Sequence, residues 1–269
     1  MRECRASATR ALSSSSIRHG QLGHWETSGI TWTISLKVSN IALNFYEDVA
    51  MLVFDIVELV DWGYERNVTL RGAPYDFRFA PHSLDDYYIR LKALIEETYF
   101  SSGERKVFLL GHSQGGLVLA YFLRRQPAEW KDRFVSGFMS VGTPWAGSAV
   151  IMRIFSSGYT MGVSSSKSLL LREQQRSHES APYLMPRAPA WAENDTLLRT
   201  PWRNYTLNDY DAFFDDVGYP QGKAIYRRVV DDDLYWTHPG VDTFCWYGSG
   251  KHSYPTLIIF VQVLIFSFS

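Results

Sequence analysis

The residues of this chain best suited to chemistry are one serine and the glycines around it. An apolar run at 106–110 leads into Gly-His-Ser-Gln-Gly at 111–115, and a helix-forming run follows at 117–123. A G-x-S-x-G sequence between a strand and a helix is typical of a nucleophile elbow, which exposes Ser113 on a sharp turn. The backbone N–H of Gln114 then faces the oxygen of an attacked carbonyl. The spacing predicts a serine nucleophile, with positive φ expected at a flanking glycine.

The elements around this turn must form a sheet that holds it. Apolar residues recur at helical spacing over 45–60, and Gly63 is a plausible helix end. Ser83, with Asp86 three residues later, predicts the N-cap of a second helix. The predicted strands lie at 66–70, 106–110, 134–141 and 241–247. Strands that alternate with helices predict an α/β domain, with a mostly parallel sheet and helices on both faces.

A long gap of about ninety residues separates the last two predicted strands, which is too long for a bare loop in a compact domain. We expect an inserted cap at about 150–238. Its aromatic residues include Trp191, Trp202, Phe213 and Phe214. They could form an apolar lid over an acyl chain, or they could fill the core of the cap itself, and both interpretations stay open.

The two ends of the chain differ from its middle. Residues 1–43 lack a pattern and include a serine run, so we expect disorder there. The start has no apolar stretch of the kind found in signal peptides, and none is predicted. The last segment, 254–269, is apolar but shorter than the roughly 20 residues that cross a bilayer. It could be a buried strand, a membrane-dipping end or sequence foreign to the domain. The core domain is therefore expected at 44–253.

Composition excludes some classes of function. The net charge of -1 and the absence of a dense basic stripe argue against nucleic-acid binding. Cys4 and Cys245 are too few for a disulfide framework and have no zinc-type spacing. Asn67, Asn194 and Asn204 each begin an Asn-x-Thr sequon. These three asparagines are candidate glycosylation sites and hint at a secretory-pathway protein.

Several further motifs point to one family. They are Ala-Pro-Tyr-Asp-Phe-Arg at 73–78, Gln-Pro-Ala-Glu-Trp-Lys-Asp-Arg-Phe at 126–134, Gly-Phe-Met-Ser-Val-Gly-Thr-Pro-Trp-Ala-Gly-Ser at 137–148, Asn-Tyr-Thr at 204–206 and Pro-Gly-Val-Asp-Thr-Phe-Cys-Trp-Tyr-Gly at 239–248. With the elbow, they occur in one continuous order over residues 45 to 253. In these motifs the chain resembles the lecithin:cholesterol acyltransferase and lysosomal phospholipase A2 family.

The resemblance implies an α/β-hydrolase fold with a cap, acting on glycerophospholipids at a membrane or lipoprotein surface. Such enzymes form an acyl-serine intermediate and pass the acyl group to water, a sterol or another lipid alcohol, without a metal or organic cofactor. Ser113 matches the family nucleophile, and Gln114 occupies the position of one oxyanion donor. The family also implies a lysosomal or extracellular location.

The chain departs from the family pattern near both ends. In the family, the triad acid and histidine follow the strand matched by 241–248, whereas here the match ends at about His252. No segment of 1–44 matches the loop that supplies the second oxyanion donor. We therefore expect the fold to be incomplete at both ends and this chain to have little or no activity. His252 is the remaining candidate base, although a solvated loop histidine is the plainer interpretation.

Other titratable residues are predicted to be structural. His112 adjoins the nucleophile but should point away from it across the tight turn. Asp76 and Arg78 should pair with each other, Asp231 to Asp233 should form a solvated turn, and Asp242 should mark a polar end of the sheet. Two functions other than that of the family enzymes remain: a non-catalytic lipid-binding remnant of the family, and a generic lipase or esterase that shares only the elbow.

Overall fold

The chain forms two compact units, each with its own sheet. The computed structural model describes residues 31–35, 59–61, 63–160, 168–230, 232, 234–247 and 257–258. Unit 1 comprises Met1–Pro144 and Asp232–Ser249, and unit 2 comprises Trp145–Asp231 and Gly250–Ser269. None of the helices within the described ranges is long and apolar enough to cross a membrane.

The described helices and strands alternate along much of the chain. The strands are β1 (Thr31–Ser35), β2 (Leu70–Gly72), β3 (Val107–His112), β4 (Val135–Val141), β5 (Leu198–Arg199), β6 (Asn204–Tyr205), β7 (Thr243–Trp246) and β8 (Leu257–Ile258). The α-helices are α1 (Asp85–Ser101), α2 (Gln114–Arg124), α3 (Ala128–Phe134), α4 (Val150–Ser157), α5 (Ser168–Arg176), α6 (Ser180–Tyr183), α7 (Tyr210–Asp216) and α8 (Gln221–Val230), with 3₁₀ turns at Pro81–Ser83 and Leu207–Asp209.

Unit 1 is built on a parallel sheet, as the alternation of elements predicted. Its strand order is β2-β1-β3-β4-β7, and every neighbouring pair is parallel. β1 lies between β2 and β3, within a segment where the sequence pattern predicted no element. β3 is apolar on both faces, as is usual in a parallel sheet covered by helices. Val107 and Leu109 on one face are fully buried, and Phe108 on the other is also buried.

Two local predictions in unit 1 are wrong, and short-range hydrogen bonds explain both. The predicted strand at 66–70 starts only at Leu70, the first residue of β2. Residues 65–69 form a turn in which Asn67 has φ 63° and the Thr69 hydroxyl accepts from the Glu65 N–H at 2.8 Å. Ser83 does not cap α1, because a 3₁₀ turn that starts at Pro81 absorbs it and the helix begins after Leu84. By contrast, Gly63 does end the helical residues 59–61, with φ 94°.

Unit 2 has an aromatic core of its own. Phe155, Phe213 and Phe214 are fully buried there, and Met185 and Leu197 lie in the same cluster. A small sheet with the order β6-β5-β8 borders this core, with β5 antiparallel to β6 and parallel to β8. Leu257 and Ile258, from the apolar segment 254–269, are therefore strand residues, and the remainder of that segment lies outside the described residues.

One buried arginine joins three parts of unit 2. Arg176 is 5% exposed, and its guanidinium donates to the Phe155 carbonyl at 2.5 and 3.1 Å and to the Val217 carbonyl at 2.7 Å. Its carbon Cζ lies 5.2 Å from the centre of the Tyr219 ring. Burial lowers the pKa of Arg176. Because these carbonyls end α4 and follow α7, the side chain links both to α5.

We predict that Arg176→Met destabilises the protein much more than Arg172→Met, one turn earlier on the same helix. The first change leaves two inward-facing carbonyls without their donor, which should lower the free energy of unfolding by about 2–4 kcal/mol. Arg172 is 33% exposed, pairs with Glu173 and makes one long bond to the Ser156 carbonyl at 3.3 Å, so its loss should cost about 1 kcal/mol or less. Urea unfolding followed by tryptophan fluorescence measures both, and equal losses would contradict the assignment.

A capping box before α7 gives one carboxylate a pH-dependent role. The Asp209 carboxylate accepts from the Thr206 backbone N–H at 2.9 Å, from the Thr206 hydroxyl at 2.8 Å and from Arg203 at 2.7 Å. Burial acts to raise the pKa of Asp209, but the hydrogen bonds from Thr206 and Arg203 outweigh it and lower the pKa. The ionised form is therefore more stable in the folded chain than in the unfolded one.

We predict that Asp209→Asn destabilises the protein near neutral pH and matters less in acid. A lowered folded-state pKa contributes stability above the unfolded value of about 4, and this contribution is lost as the pH falls through the folded value. The difference in unfolding midpoint between wild type and variant should be constant from pH 6 to 8 and shrink below about pH 4. Asp211→Asn, at a 59% exposed carboxylate, is the matched control, and a difference that grows in acid would refute the prediction.

Candidate functional site

The predicted strand–turn–helix around Ser113 is confirmed. β3 ends at His112, α2 begins at Gln114, and Ser113 stands between them with φ 52° and ψ -126°. This conformation costs a non-glycine residue about 1–3 kcal/mol. The Ser113 N–H donates to the Val141 carbonyl of β4 at 2.8 Å, and the Gly116 N–H donates to the Ser113 carbonyl at 3.1 Å. The positive φ therefore falls on the serine itself rather than on a flanking glycine.

Glycines let the strand and the helix approach each other closely at this turn. A Cβ on Gly111 would lie 2.8 Å from the Gly115 carbonyl oxygen and from the Gly116 nitrogen. A Cβ on Gly116 would lie 2.0 Å from the hydroxyl oxygen of Thr143, two residues after β4. Gly116 lies just outside the five-residue motif, and the sequence analysis did not predict that this position requires glycine. The Gly115-Gly116 doublet was its only signal in the sequence.

Ser113 lies at the carboxyl edge of the sheet. His112 pairs with Val141 in the β3–β4 register, and Val141 pairs with Trp246 in the β4–β7 register. Three parallel strands therefore end beside the serine, at the edge where open α/β sheets bind their ligands. The eleven-residue helix α2 also directs the positive end of its dipole at this turn. The arrangement can stabilise negative charge on an oxygen near Ser113.

Asp242 lies at the other edge of the sheet. It directly precedes β7, and its carbonyl accepts from the Phe138 N–H at 2.8 Å. Four residues of strand, or about 13 Å, separate it from Trp246 at the serine edge. Its carboxylate is therefore not placed to orient a base beside Ser113, in agreement with the prediction that it marks a polar end.

Two other candidate acidic residues, Asp76 and Asp232, form ion pairs. Asp76 and Arg78 pair as predicted, with Arg78 Nε 2.9 Å from Oδ1 and Nη2 2.5 Å from Oδ2. These hydrogen bonds raise the pKa of Arg78. The prediction of a solvated turn at Asp231 to Asp233 is wrong for Asp232, whose side chain is 4% exposed and lies 2.8 Å from Arg125.

Neither a base nor a metal site is assigned beside Ser113 within the described residues. His112 is half-buried at the end of β3, and His252 lies outside the described residues. Within the described ranges, no group of three or more His, Cys, Asp or Glu side chains could hold a metal ion.

The four candidate substrate-contacting aromatic residues have different environments. Phe213 and Phe214 are fully buried in the core of unit 2. Trp191 packs against that core, and its indole N–H donates to the Ala146 carbonyl at 2.9 Å. Trp202, at the tip of the β5–β6 hairpin, is 73% exposed. All three sequon asparagines, Asn67, Asn194 and Asn204, are exposed.

A parallel sheet with a serine at positive φ between a strand and a helix defines an α/β-hydrolase type of site. The family model for lecithin:cholesterol acyltransferase matches residues 29–238. The chain therefore belongs to the lecithin:cholesterol acyltransferase family.

Named relatives agree with this family. Phosphatidylcholine-sterol acyltransferase of Mus musculus is 41% identical over 202 residues, which are 74% of this chain and 46% of the relative. Lysosomal phospholipase A and acyltransferase of Bos taurus is 39% identical over 195 residues, or 72% of this chain and 48% of that one. The chain thus spans about half the length of these relatives. The solved phospholipase PlaB of Legionella pneumophila is 11% identical over 81% of this chain and 39% of its own, with a TM-score of 0.39, a likeness too weak to bear on the site.

We predict that Gly116→Ala destabilises unit 1 by about 1–3 kcal/mol, because its methyl group meets the side chain of Thr143. Gly72→Ala is the matched control, since a Cβ there has no atom within 4 Å. Adding Thr143→Ala to Gly116→Ala should recover part of the loss. Thermal unfolding measures all three proteins, and a Gly116→Ala variant as stable as the control would show that the contact is not tight.

Proposed function

We propose that Ser113 is the nucleophile of a lipid acyltransferase or acylhydrolase that acts on glycerophospholipids. The backbone of Ser113 carries the proposal, because a strained serine at the carboxyl edge of a parallel sheet is otherwise hard to explain. Membership in the lecithin:cholesterol acyltransferase family supports the choice of a phospholipid. Relatives at about 40% identity are named as phosphatidylcholine-sterol acyltransferases and as lysosomal phospholipase A and acyltransferase.

The proposed reaction has two acyl transfers. The Ser113 oxygen attacks the ester carbonyl of the lipid, and the Gln114 N–H stabilises the resulting oxyanion. The bond to the glycerol oxygen then breaks, the lysolipid leaves with a proton, and the acyl group stays on Ser113. Water or a lipid alcohol attacks this ester next and restores the serine. The step needs no metal or organic cofactor.

Activation of the serine needs a base. A serine hydroxyl is a weak nucleophile until a histidine, held by a carboxylate, takes its proton. In this chain the proposed base is His252. No carboxylate that would orient this histidine is identified among the described residues, so we expect turnover to be slow or absent.

The roles of the aromatic residues of unit 2 and of the sequons are also proposals. We assign Phe213 and Phe214 to the core of unit 2, since both are fully buried. The exposed Trp202 is the candidate among the four aromatic residues for contact with a lipid surface. Exposed Asn67, Asn194 and Asn204 are candidate glycan sites, and they fit a lysosomal or extracellular protein.

The test is labelling of the purified chain with a fluorophosphonate, together with acyl release from phosphatidylcholine vesicles. We expect label on Ser113 and slow acyl release, and both should disappear in Ser113→Ala. Ser140→Ala, at another serine near the same sheet edge, is the control and should keep both. Vesicles with and without cholesterol distinguish transfer to a sterol from transfer to water.

Two results would contradict the proposal. Acyl release that persists in Ser113→Ala would show that another residue carries the chemistry. A wild-type chain that binds vesicles but takes no label would support a non-catalytic lipid-binding protein instead.

A further inference from the structure

The side chain of Gln114 makes a contact that the acyl-transfer chemistry does not use. It is 3% exposed, and its amide nitrogen lies 3.2 Å from both the Phe77 and the Phe79 carbonyl oxygens. Both partners are acceptors only, so the nitrogen, with its two hydrogens, must be the atom that faces them. One side chain therefore joins the residue after the nucleophile to a turn 35 to 37 residues earlier in the chain.

The turn at 76–79 is closed by bonds of its own. The Phe79 N–H donates to the Asp76 carbonyl at 3.3 Å, and the Arg78 N–H donates to the Asp76 carboxylate at 3.0 Å. The ion pair between Asp76 and Arg78 braces the same four residues. None of these bonds uses the two carbonyls that Gln114 contacts. The turn is thus a small rigid unit, and the Gln114 amide links it to the start of α2.

The turn is also anchored from its other side. The Tyr87 hydroxyl of α1 donates to the Ala73 carbonyl at 3.2 Å, and Tyr75 and Ala80 are buried. A turn fixed in this way can hold the first residue of α2 in place. The peptide N–H of that residue is the proposed oxyanion donor, and such a donor works only if it is aimed to within about 0.5 Å and 10–20°.

We propose that the Gln114 side chain is a positioning group. By bonding to the 76–79 turn, its amide fixes the direction in which the Gln114 backbone N–H points. The inference rests on the proposed function, because it assigns that N–H to the oxyanion of the acyl-transfer reaction. The side chain can fix this arrangement because burying its carboxamide without hydrogen bonds is unfavourable. A buried carboxamide is stable only when its hydrogens are bonded, so the turn and the elbow adopt one arrangement together.

The decisive variant is Gln114→Met, which keeps the length of the side chain but cannot donate. We expect faster hydrogen exchange at the amides of 77–79, and a roughly tenfold lower maximal rate of fluorophosphonate labelling at Ser113. The probe concentration at half-maximal rate should change less than about twofold, because the donor acts on the transition state rather than on binding. Gln126→Met is the matched control, since the Gln126 side chain donates to the Phe122 carbonyl, four residues earlier, and its loss should alter neither quantity.

A second variant uses pH to restore the donor. The ionised carboxylate of Gln114→Glu accepts but cannot donate, so once this group is ionised the turn should exchange as fast as in Gln114→Met. At pH 5 a buried carboxyl is largely protonated and can donate one hydrogen bond. Exchange, relative to wild type at the same pH, should then return part of the way. If the side chain acted only by filling space, exchange at the turn would not depend on pH in this way.

Three outcomes would overturn the proposal. The first is unchanged exchange and unchanged labelling in Gln114→Met. The second is a loosened turn with an unchanged maximal labelling rate, which would make the contact structural only. The third is a Gln114→Glu variant whose turn at pH 5, where the carboxyl is protonated and can donate, exchanges as fast as the turn of Gln114→Met. A wild-type Ser113 that takes no label contradicts the proposed function itself, and the exchange measurements then decide alone whether Gln114 holds the turn.

Discussion

The backbone of Ser113 is the constraint on which the rest of unit 1 depends. An L-residue at φ 52° is unfavourable by itself and persists only when its surroundings determine it from several sides. Here the Val141 carbonyl binds the serine N–H, and the β3–β4 register brings that carbonyl to the right place. The close approach of Gly111 to α2 completes the turn. The sheet therefore does more than carry the serine, because its register sets the direction of the side chain.

Within each unit, polar side chains link segments that are distant in the chain. In unit 1 the Gln114 amide and the Asp232–Arg125 pair link segments far apart in the chain. In unit 2 the Arg176 guanidinium gathers the carbonyls of two helix ends. Each is a group whose burial is unfavourable unless all its partners are present, so each favours one arrangement over other compact ones. Apolar packing supplies most of the stability of each unit, while these polar contacts select one arrangement of its segments.

The features that could be predicted from the sequence are those that repeat or that match a short motif. The parallel sheet, the elbow and the Asp76–Arg78 pair follow from alternation of elements and from local spacing. The turn at Asn67 was missed because one residue at positive φ overrides strand propensity, and β1 was missed because its segment has no clear pattern. The needs for Gly116 and for the Gln114 side chain depend on residues 27 and 35 to 37 positions away, which no local pattern shows.

A glycan at the candidate sequon of Asn204 would impose an order of events on the biosynthesis of unit 2. Its middle residue, Tyr205, is 5% exposed, and its hydroxyl donates to Asp216 at 2.8 Å. The Thr206 hydroxyl is engaged with Asp209 in the capping box. An enzyme that attaches a glycan must reach the asparagine and the threonine together, which the folded hairpin prevents. A glycan at Asn204 would therefore have to be attached while the chain is still being made, before β6 pairs with β5.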